Sequence, residues 1–276
     1  MNPKIDYRDR ARLYVKAART ALATPGEDAA HYACLKGRMA IEALTYQVLQ
    51  AYLAETPNSV MAKWTPKQVL AELLEVDPNA DKSSQIFIGK EDTPGTPAAK
   101  MEFLGEDKRF TIKWGNKAHN ALGNFLHEST IAQMEKDPST NEVAARAKAK
   151  ETFVVLDGIL STPLMQANFG NFIHLTCSCG FEIKRKEGAL QGGKPFTCSN
   201  CGNGYLYEWD EGKQTWLFRP DESNWTCEAC KEEQFVSTHI LATYPVLTCR
   251  CGVKAKVEPA YNLVFIKETE AKSAPA

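Results

Sequence analysis

Apolar positions over the first 77 residues recur at helical spacing, and the breaks in that pattern divide the segment. ARLYVKAARTALA stops at the Pro-Gly of TPGED, which reads as an interhelical turn. HYACLKGRMAIEALTYQVLQAYLAE is long and apolar almost all round, which predicts a central helix packed on several sides. TPKQVLAELLEV opens with Thr65 in N-cap position and Pro66 at the first helical residue. Residues 78–112 then break the pattern: turn-rich DPNADKSS and KEDTPGTPAAK flank IFIG and MEFLGEDKRFTI, whose alternation predicts a small hairpin. KWGNKAHNALGNFLHES and NEVAARAKAKETFVVLDGIL return to helical spacing, the second beyond a DPST cap, and Pro163 marks the predicted end of this part.

From Asn171 the texture changes to short alternating runs: FIHLTC, FEIKR, GYLYEW, TWLFRP, EQFVSTHI, VKAKV and LVFIKE. The prediction is an α+β chain of separate domains. An all-α helical bundle with a hairpin insertion takes residues 1–165, an all-β tandem zinc-ribbon domain takes 171–266, and 267–276 form a disordered tail poor in apolar residues.

The cysteines carry the ribbon expectation. Of nine, only Cys34 precedes residue 177; the rest form Cys177-x-Cys179, Cys198-x-x-Cys201, Cys227-x-x-Cys230 and Cys249-x-Cys251. Eighteen residues separate Cys179 from Cys198 and eighteen separate Cys230 from Cys249. Eight thiolates make two four-sulfur sets, enough for two structural zinc ions with closed tetrahedral shells. Each close pair lets one tight turn aim two sulfurs at one ion, and Gly180, Gly202 and Gly252 supply the positive φ such a turn uses. The local assignment puts Cys177, Cys179, Cys198 and Cys201 on one ion and Cys227, Cys230, Cys249 and Cys251 on the other. The mirror order of the pairs leaves a second assignment open, inner pairs sharing one ion and outer pairs the other. His174 and His239 lie near full shells and read as ordinary strand residues.

Net charge is −1, and residues 171–276 hold 12 Lys/Arg against 13 Asp/Glu, so no broad basic field is available for nucleic acid. Any phosphate contacts must be local. Lys184, Arg185, Lys186 and Lys194 fall between the halves of the first site, and Arg250, Lys254 and Lys256 fall in and after the second; Trp209, Trp216 and Trp225 are candidate stacking surfaces. No apolar run spans a bilayer, and MNPKIDYRDRAR lacks an apolar signal core, which predicts a cytoplasmic protein with no membrane partner.

On the helix of residues 113–127, an advance of about 100° per residue places Trp114, Ala118, Ala121, Leu122 and Phe125 on the core face. His119 falls on the edge of that face, beside a polar strip with Asn116 and Gly123. This pattern resembles the HEPN superfamily: a long helix with Arg38 four residues before Glu42, then a helix carrying a basic residue, Gly-Asn and His. The resemblance covers residues 5–162. It implies a metal-independent endoribonuclease motif, an Arg followed after four to six residues by a His, set at a homodimer interface. His119 matches the motif His, Lys113 stands five residues before it where the family has Arg, and Asn116 matches the polar residue inside the motif. The implied chemistry is general acid–base work by His119 on the ribose 2′-hydroxyl, with the cation stabilising the phosphorane. Lys113 departs from the family because an ammonium cannot make the bidentate fork of Arg. Many HEPN-like domains serve assembly or ligand binding instead, and in an unrelated bundle Arg38 and Glu42 would form an intrahelical pair.

Three functions follow as expectations. One is an RNA- or DNA-binding protein of bacterial defence or toxin type, dimeric through its helices. A second is a non-catalytic dimeric scaffold whose ribbons grip another protein. The third is a redox sensor, since a Cys-x-Cys sharing zinc with a Cys-x-x-Cys resembles the centre of the redox-regulated heat-shock chaperone.

Overall fold

The computed structural model describes residues 5–258 apart from Pro94, Pro97, Ser129, residues 132–134, 136–137, 165–167, Phe169, residues 191–194 and Tyr244. The expected LVFIKE strand and disordered tail 267–276 lie outside the described residues. The chain divides into two compact units, Met1–Leu175 with Glu182–Gln191, and Thr176–Phe181 with Gly192–Ala276.

The first unit is built on helices α1 (Tyr7–Leu22), α2 (Glu27–Gln50), α3 (Pro66–Val76), α4 (Ile112–Asn124) and α5 (Pro138–Leu160). Helix α2 is the axis: α1, α3, α4 and α5 all pack on it. It buries residues around most of its circumference, including Ala33, Ala40, Ile41, Leu44 and Val48. That is the packing expected of a helix apolar on nearly every side. The small side chains bring neighbours close: a Cβ at Gly37 would lie 2.9 Å from Leu122 of α4 and 3.3 Å from Phe153 of α5. Helix α5 starts at Pro138, three residues before the expected start, since proline's missing N–H costs nothing in the first turn. The turn between α1 and α2 is clasped from α5, where Arg146 donates to the carbonyls of Leu22, Thr24 and Gly26, and Glu142 accepts from Gly26 N.

The insertion is the predicted hairpin, strands β1 (Ser84–Ile88) and β2 (Glu102–Asp107) in an antiparallel pair with an irregularity between Ile86 and Phe87. Near its base lie two buried charge clusters. Arg109 donates from Nε and Nη2 to Asp107 Oδ2 (3.0 and 2.6 Å) and from Nη1 to the Ala80 carbonyl (2.8 Å). Asp77, 2% exposed, accepts from the Tyr52 hydroxyl (2.6 Å) and pairs with Lys186 Nζ (2.6 Å).

Strands β3 (Phe172–Thr176) and β4 (Glu182–Lys186) pair with each other, and β4 packs on α3. The FEIKR segment therefore belongs to the helical unit, although in sequence it lies between two cysteine pairs. The second unit contains the sheet β5-β6-β7-β8: β5 (Phe196–Thr197), β6 (Gly204–Asp210), β7 (Thr215–Thr226) and β8 (Glu233–Ser237), all antiparallel. Strand β7 runs on through DESNWT, which carries no strand signal of its own. Residues 215–221 pair with β6 and residues 222–226 with β8, so one strand serves both halves of the unit. Pro220, with no N–H to give, sits just before the change of partner. The expected EQFVSTHI strand ends at Ser237 and turns into a short helix α6 (Thr238–Leu241), so His239 is helical and not a strand residue. Strands β9 (Val246–Thr248) and β10 (Lys254–Lys256) close the described chain. Among the described residues, no helix is long and apolar enough to cross a membrane.

Candidate metal centres and a cationic cavity

Each cysteine pair sits in a tight turn that repeats. In the two Cys-x-Cys turns, Gly180 N donates to Cys177 O and Gly252 N to Cys249 O, while Cys177 N and Cys249 N reach the carbonyls of Phe181 and Val253. In the two Cys-x-x-Cys turns, Gly202 N donates to Cys198 O and Lys231 N to Cys227 O, while Cys198 N and Cys227 N reach Asn203 O and Glu232 O. The residue closing each turn has positive φ: Gly180 +83°, Gly202 +79°, Gly252 +90° and Lys231 +60°. Lys231 is the one without glycine's freedom.

The turns gather the sulfurs by the local assignment. The sulfurs of Cys177, Cys179, Cys198 and Cys201 lie within 4.8 Å of one another, as do those of Cys227, Cys230, Cys249 and Cys251, which removes the inner–outer alternative. Separations are 3.6 Å for Cys177–Cys201, 3.8 Å for Cys179–Cys198, 3.7 Å for Cys227–Cys251 and 3.5 Å for Cys230–Cys249. A tetrahedral ion with Zn–S bonds of about 2.3 Å sets its sulfurs about 3.8 Å apart, so both sets fit a closed four-thiolate metal site. Electrostatics agree with that fit. Burial alone would raise the Cys177 thiol, but the Cys179 backbone N–H and the Tyr205 hydroxyl bring it to about 6. Cys201 is pushed up to about 12 by burial and by the neighbouring sulfurs of Cys179, Cys177 and Cys198. In the second set, backbone N–H groups of Cys230 and Ala229 hold Cys227 at about 6. Cys249, despite the Cys251 N–H, is pushed to about 12 by burial and its three sulfur neighbours. Four crowded thiolates repel one another until a cation joins them.

The cations expected to meet phosphate fare unevenly. Lys184, Arg185 and Lys186 lie on β4 in the helical unit: Arg185 is 8% exposed and donates to the Lys184 carbonyl, while Lys186 is tied to Asp77 and lies over the Tyr52 and Phe172 rings. Arg185 is thus buried and Lys186 is engaged by Asp77, while Lys184 is half-buried on the same strand. Lys194 lies outside the described residues. Arg250 and Lys254 are exposed, and Lys256 pairs with Glu258 at 3.2 Å. Of the tryptophans, Trp209 is exposed and meets the half-buried Trp216 edge-on at 5.3 Å; Trp225 is half-buried on β7.

In the helical unit, α4 is anchored at its start by two caps, the Thr111 hydroxyl accepting from Trp114 N and Asp81 Oδ2 accepting from Ile112 N. Its buried face is Gly115, Ala118, His119, Leu122 and Gly123, one step round from the face expected. Trp114, Ala121 and Phe125 are only half-buried. The cause is close approach at glycine. A Cβ at Gly115 would lie 2.7 Å from Phe110, and one at Gly123 would lie 2.6 Å from Arg38 Nη1. Gly123 therefore faces Arg38, and His119 is 5% exposed instead of sitting at a core edge. His119 Nε2 lies 2.8 Å from Glu42 Oε1.

The expected Arg38–Glu42 pair does not form, because Glu42 is taken by His119. Half-buried Arg38 makes no hydrogen bond or ion pair with any described residue. It lines a cavity of about 420 Å³ with Asn116, His119 and Asn120 of α4, and with Trp64, Thr65, Pro66, Lys67, Gln68 and Ala71 at the start of α3. No carboxylate lines it. Arg38, Lys67 and the positive end of α3 leave it cationic. Asn116 and His119 line one cavity, whereas Lys113 is exposed and does not line it; the cations in the lining are Arg38 and Lys67. Sequence reading missed Trp64, Lys67 and Gln68, which carry no spacing signal; it placed Gly123 beside His119, but on a polar strip instead of the buried face.

No family model, curated protein or solved structure matches the chain.

Proposed function

We propose that the protein acts on RNA: a HEPN-like helical unit holds the RNA phosphate in the Arg38 cavity, and two zinc ions fold the second unit as an accessory module. The observation that carries this reading is a half-buried guanidinium with no partner among the described residues, facing a cavity that no described carboxylate lines. Such a group favours an anion with paired acceptor oxygens. His119, oriented by Glu42, is the group to take the 2′-hydroxyl proton as that oxygen attacks phosphorus and the 5′-oxygen leaves. Arg38 replaces Lys113 as the cation of the phosphorane. Arg250 and Lys254 remain the zinc unit's own phosphate contacts, and a homodimer through the helices belongs to the same reading.

The test is RNA affinity against salt and cleavage of a labelled RNA. Arg38→Ala is expected to weaken binding about tenfold or more, and His119→Ala to abolish cleavage with both metals retained. Salt-independent binding, or an Arg38→Ala protein that binds as before, ends this reading. A protein-binding scaffold is favoured by one observation: between Pro195 and Glu258 there are six Lys/Arg against nine Asp/Glu, and Phe235 and Val246 are exposed there.

A further inference from the structure

The cavity beside Arg38 has a wall that phosphate binding leaves unexplained. Trp64, just before α3, is 65% exposed and lines the cavity. Its ring meets no other aromatic ring among the described residues. An indole is a large flat apolar face with a polar N–H edge, a shape suited to covering another flat ring. Around it the lining is of three kinds. Arg38 and Lys67 are cationic, Trp64 is an aromatic face, and Thr65, Gln68, Asn116 and Asn120 offer hydroxyl and amide groups. Those three match the three parts of a nucleotide: phosphate, base face and base edge. A volume of about 420 Å³ suits one such unit.

We infer that Trp64 is a base-stacking residue, and that the cavity takes one unpaired nucleotide with its phosphate on Arg38 and its base on the indole. The inference rests on the RNA reading above and adds to it what the site selects. In a duplex each base face is covered by the next pair, so an indole fixed at a cavity wall finds no free face. In a single strand every base has one. Selection is therefore for strandedness, with the amides of Asn116, Asn120 and Gln68 placed to read a base edge.

The experiment uses the full chain with both metals bound and three probes: a short single-stranded RNA, the same sequence as a blunt duplex, and an oligomer of ribose phosphates without bases. Wild-type protein is expected to prefer the single strand to the duplex by about tenfold or more, and Trp64→Ala to lose about tenfold on the single strand. Trp64→Phe, which keeps a ring, should retain most of that affinity, and the base-free oligomer should bind wild type and Trp64→Ala alike. Arg38→Ala should weaken all three probes. If Trp64→Ala leaves single-strand affinity unchanged while Arg38→Ala lowers it, the stacking role is wrong and the RNA reading stands. If Trp64→Ala weakens the base-free oligomer equally, the ring supports the cavity and does not stack. If wild type binds none of the probes, or Arg38→Ala changes nothing, the RNA reading falls and takes the stacking role with it.

Discussion

The helical unit closes over one apolar cluster that runs from Ala11 through α2 to Ile159. Between Pro195 and Glu258, by contrast, the buried apolar side chains among the described residues are Phe196, Tyr205, Cys198, Cys227 and Cys249. Even within the zinc unit the two halves differ. The first site has Phe196 stacked on Tyr205 and the Tyr205 hydroxyl 3.1 Å from Cys177 Sγ, whereas around the second the buried side chains are Cys227, Cys249 and Ser237. Two organising forces are at work in one chain. Burial of apolar surface organises the first unit, while in the second two sets of four sulfurs, each fit for a metal ion, stand where an apolar core would be.

The sharpest break of that comparison is metal removal. Chelation is expected to release two equivalents per chain and unfold the second unit, since structural zinc contributes roughly 10–16 kcal/mol to such domains. Far-UV circular dichroism should keep its helical signal while the fluorescence of Trp209, Trp216 and Trp225 changes. Loss of the helical signal together with the metal would show that the helical unit does not stand on its own core. Arg109→Ala probes the opposite side. It strands the buried Asp107 carboxylate and is expected to cost the helical unit about 3–5 kcal/mol in denaturant unfolding, with metal content unchanged. Burial by itself would lower the Arg109 pKa, but Asp107 more than offsets this and raises it, so the ion pair holds across the working range.

Acid separates the units next. Burial by itself would raise the Asp77 carboxyl, but Lys186, Tyr52 and the Asn79 N–H hold it below its ordinary value. Because the folded value is the depressed one, its stabilising effect is complete above about pH 4 and is lost as pH falls through the folded value. Thiolate ligands take up protons at milder acidity, so metal release should precede loss of helix in a pH titration followed by both signals. The smallest expected effect is at the one turn closed without glycine. Lys231→Gly removes a left-handed lysine and should stabilise the second site by no more than about 1 kcal/mol, read as a lower metal-loss rate.

The two units also differ in how legible they were. The ribbon chemistry could be read because two thiols one or two residues apart serve few purposes inside a chain, and glycine marks the turn that aims them. Three of the four turns carried that mark; Lys231 hid the fourth, though its hydrogen bonds repeat those of Gly202. The central helix was legible because burial on all sides forces an apolar sequence on all sides. What escaped was anything decided by partners far away in the chain. Lys184, Arg185 and Lys186 look like a surface basic run, yet with β4 packed on α3 Arg185 is buried and Lys186 pairs with Asp77, about a hundred positions upstream. On α4, periodicity misplaced the buried face by one residue, because Gly115 and Gly123 admit Phe110 and Arg38 where larger side chains would keep them out. The close approach at Gly123 leaves Arg38 lining the same cavity as His119, which Lys113 does not reach.

Strand β7 crosses from one thiol cluster to the other without a break, pairing first with β6 and then with β8. An ion that fixed β6 against it would leave half of the second site's framework in place, so a second ion would meet a smaller ordering cost. Concerted loading is the expected outcome: native mass spectrometry during titration should find empty and doubly filled chains dominating over singly filled ones.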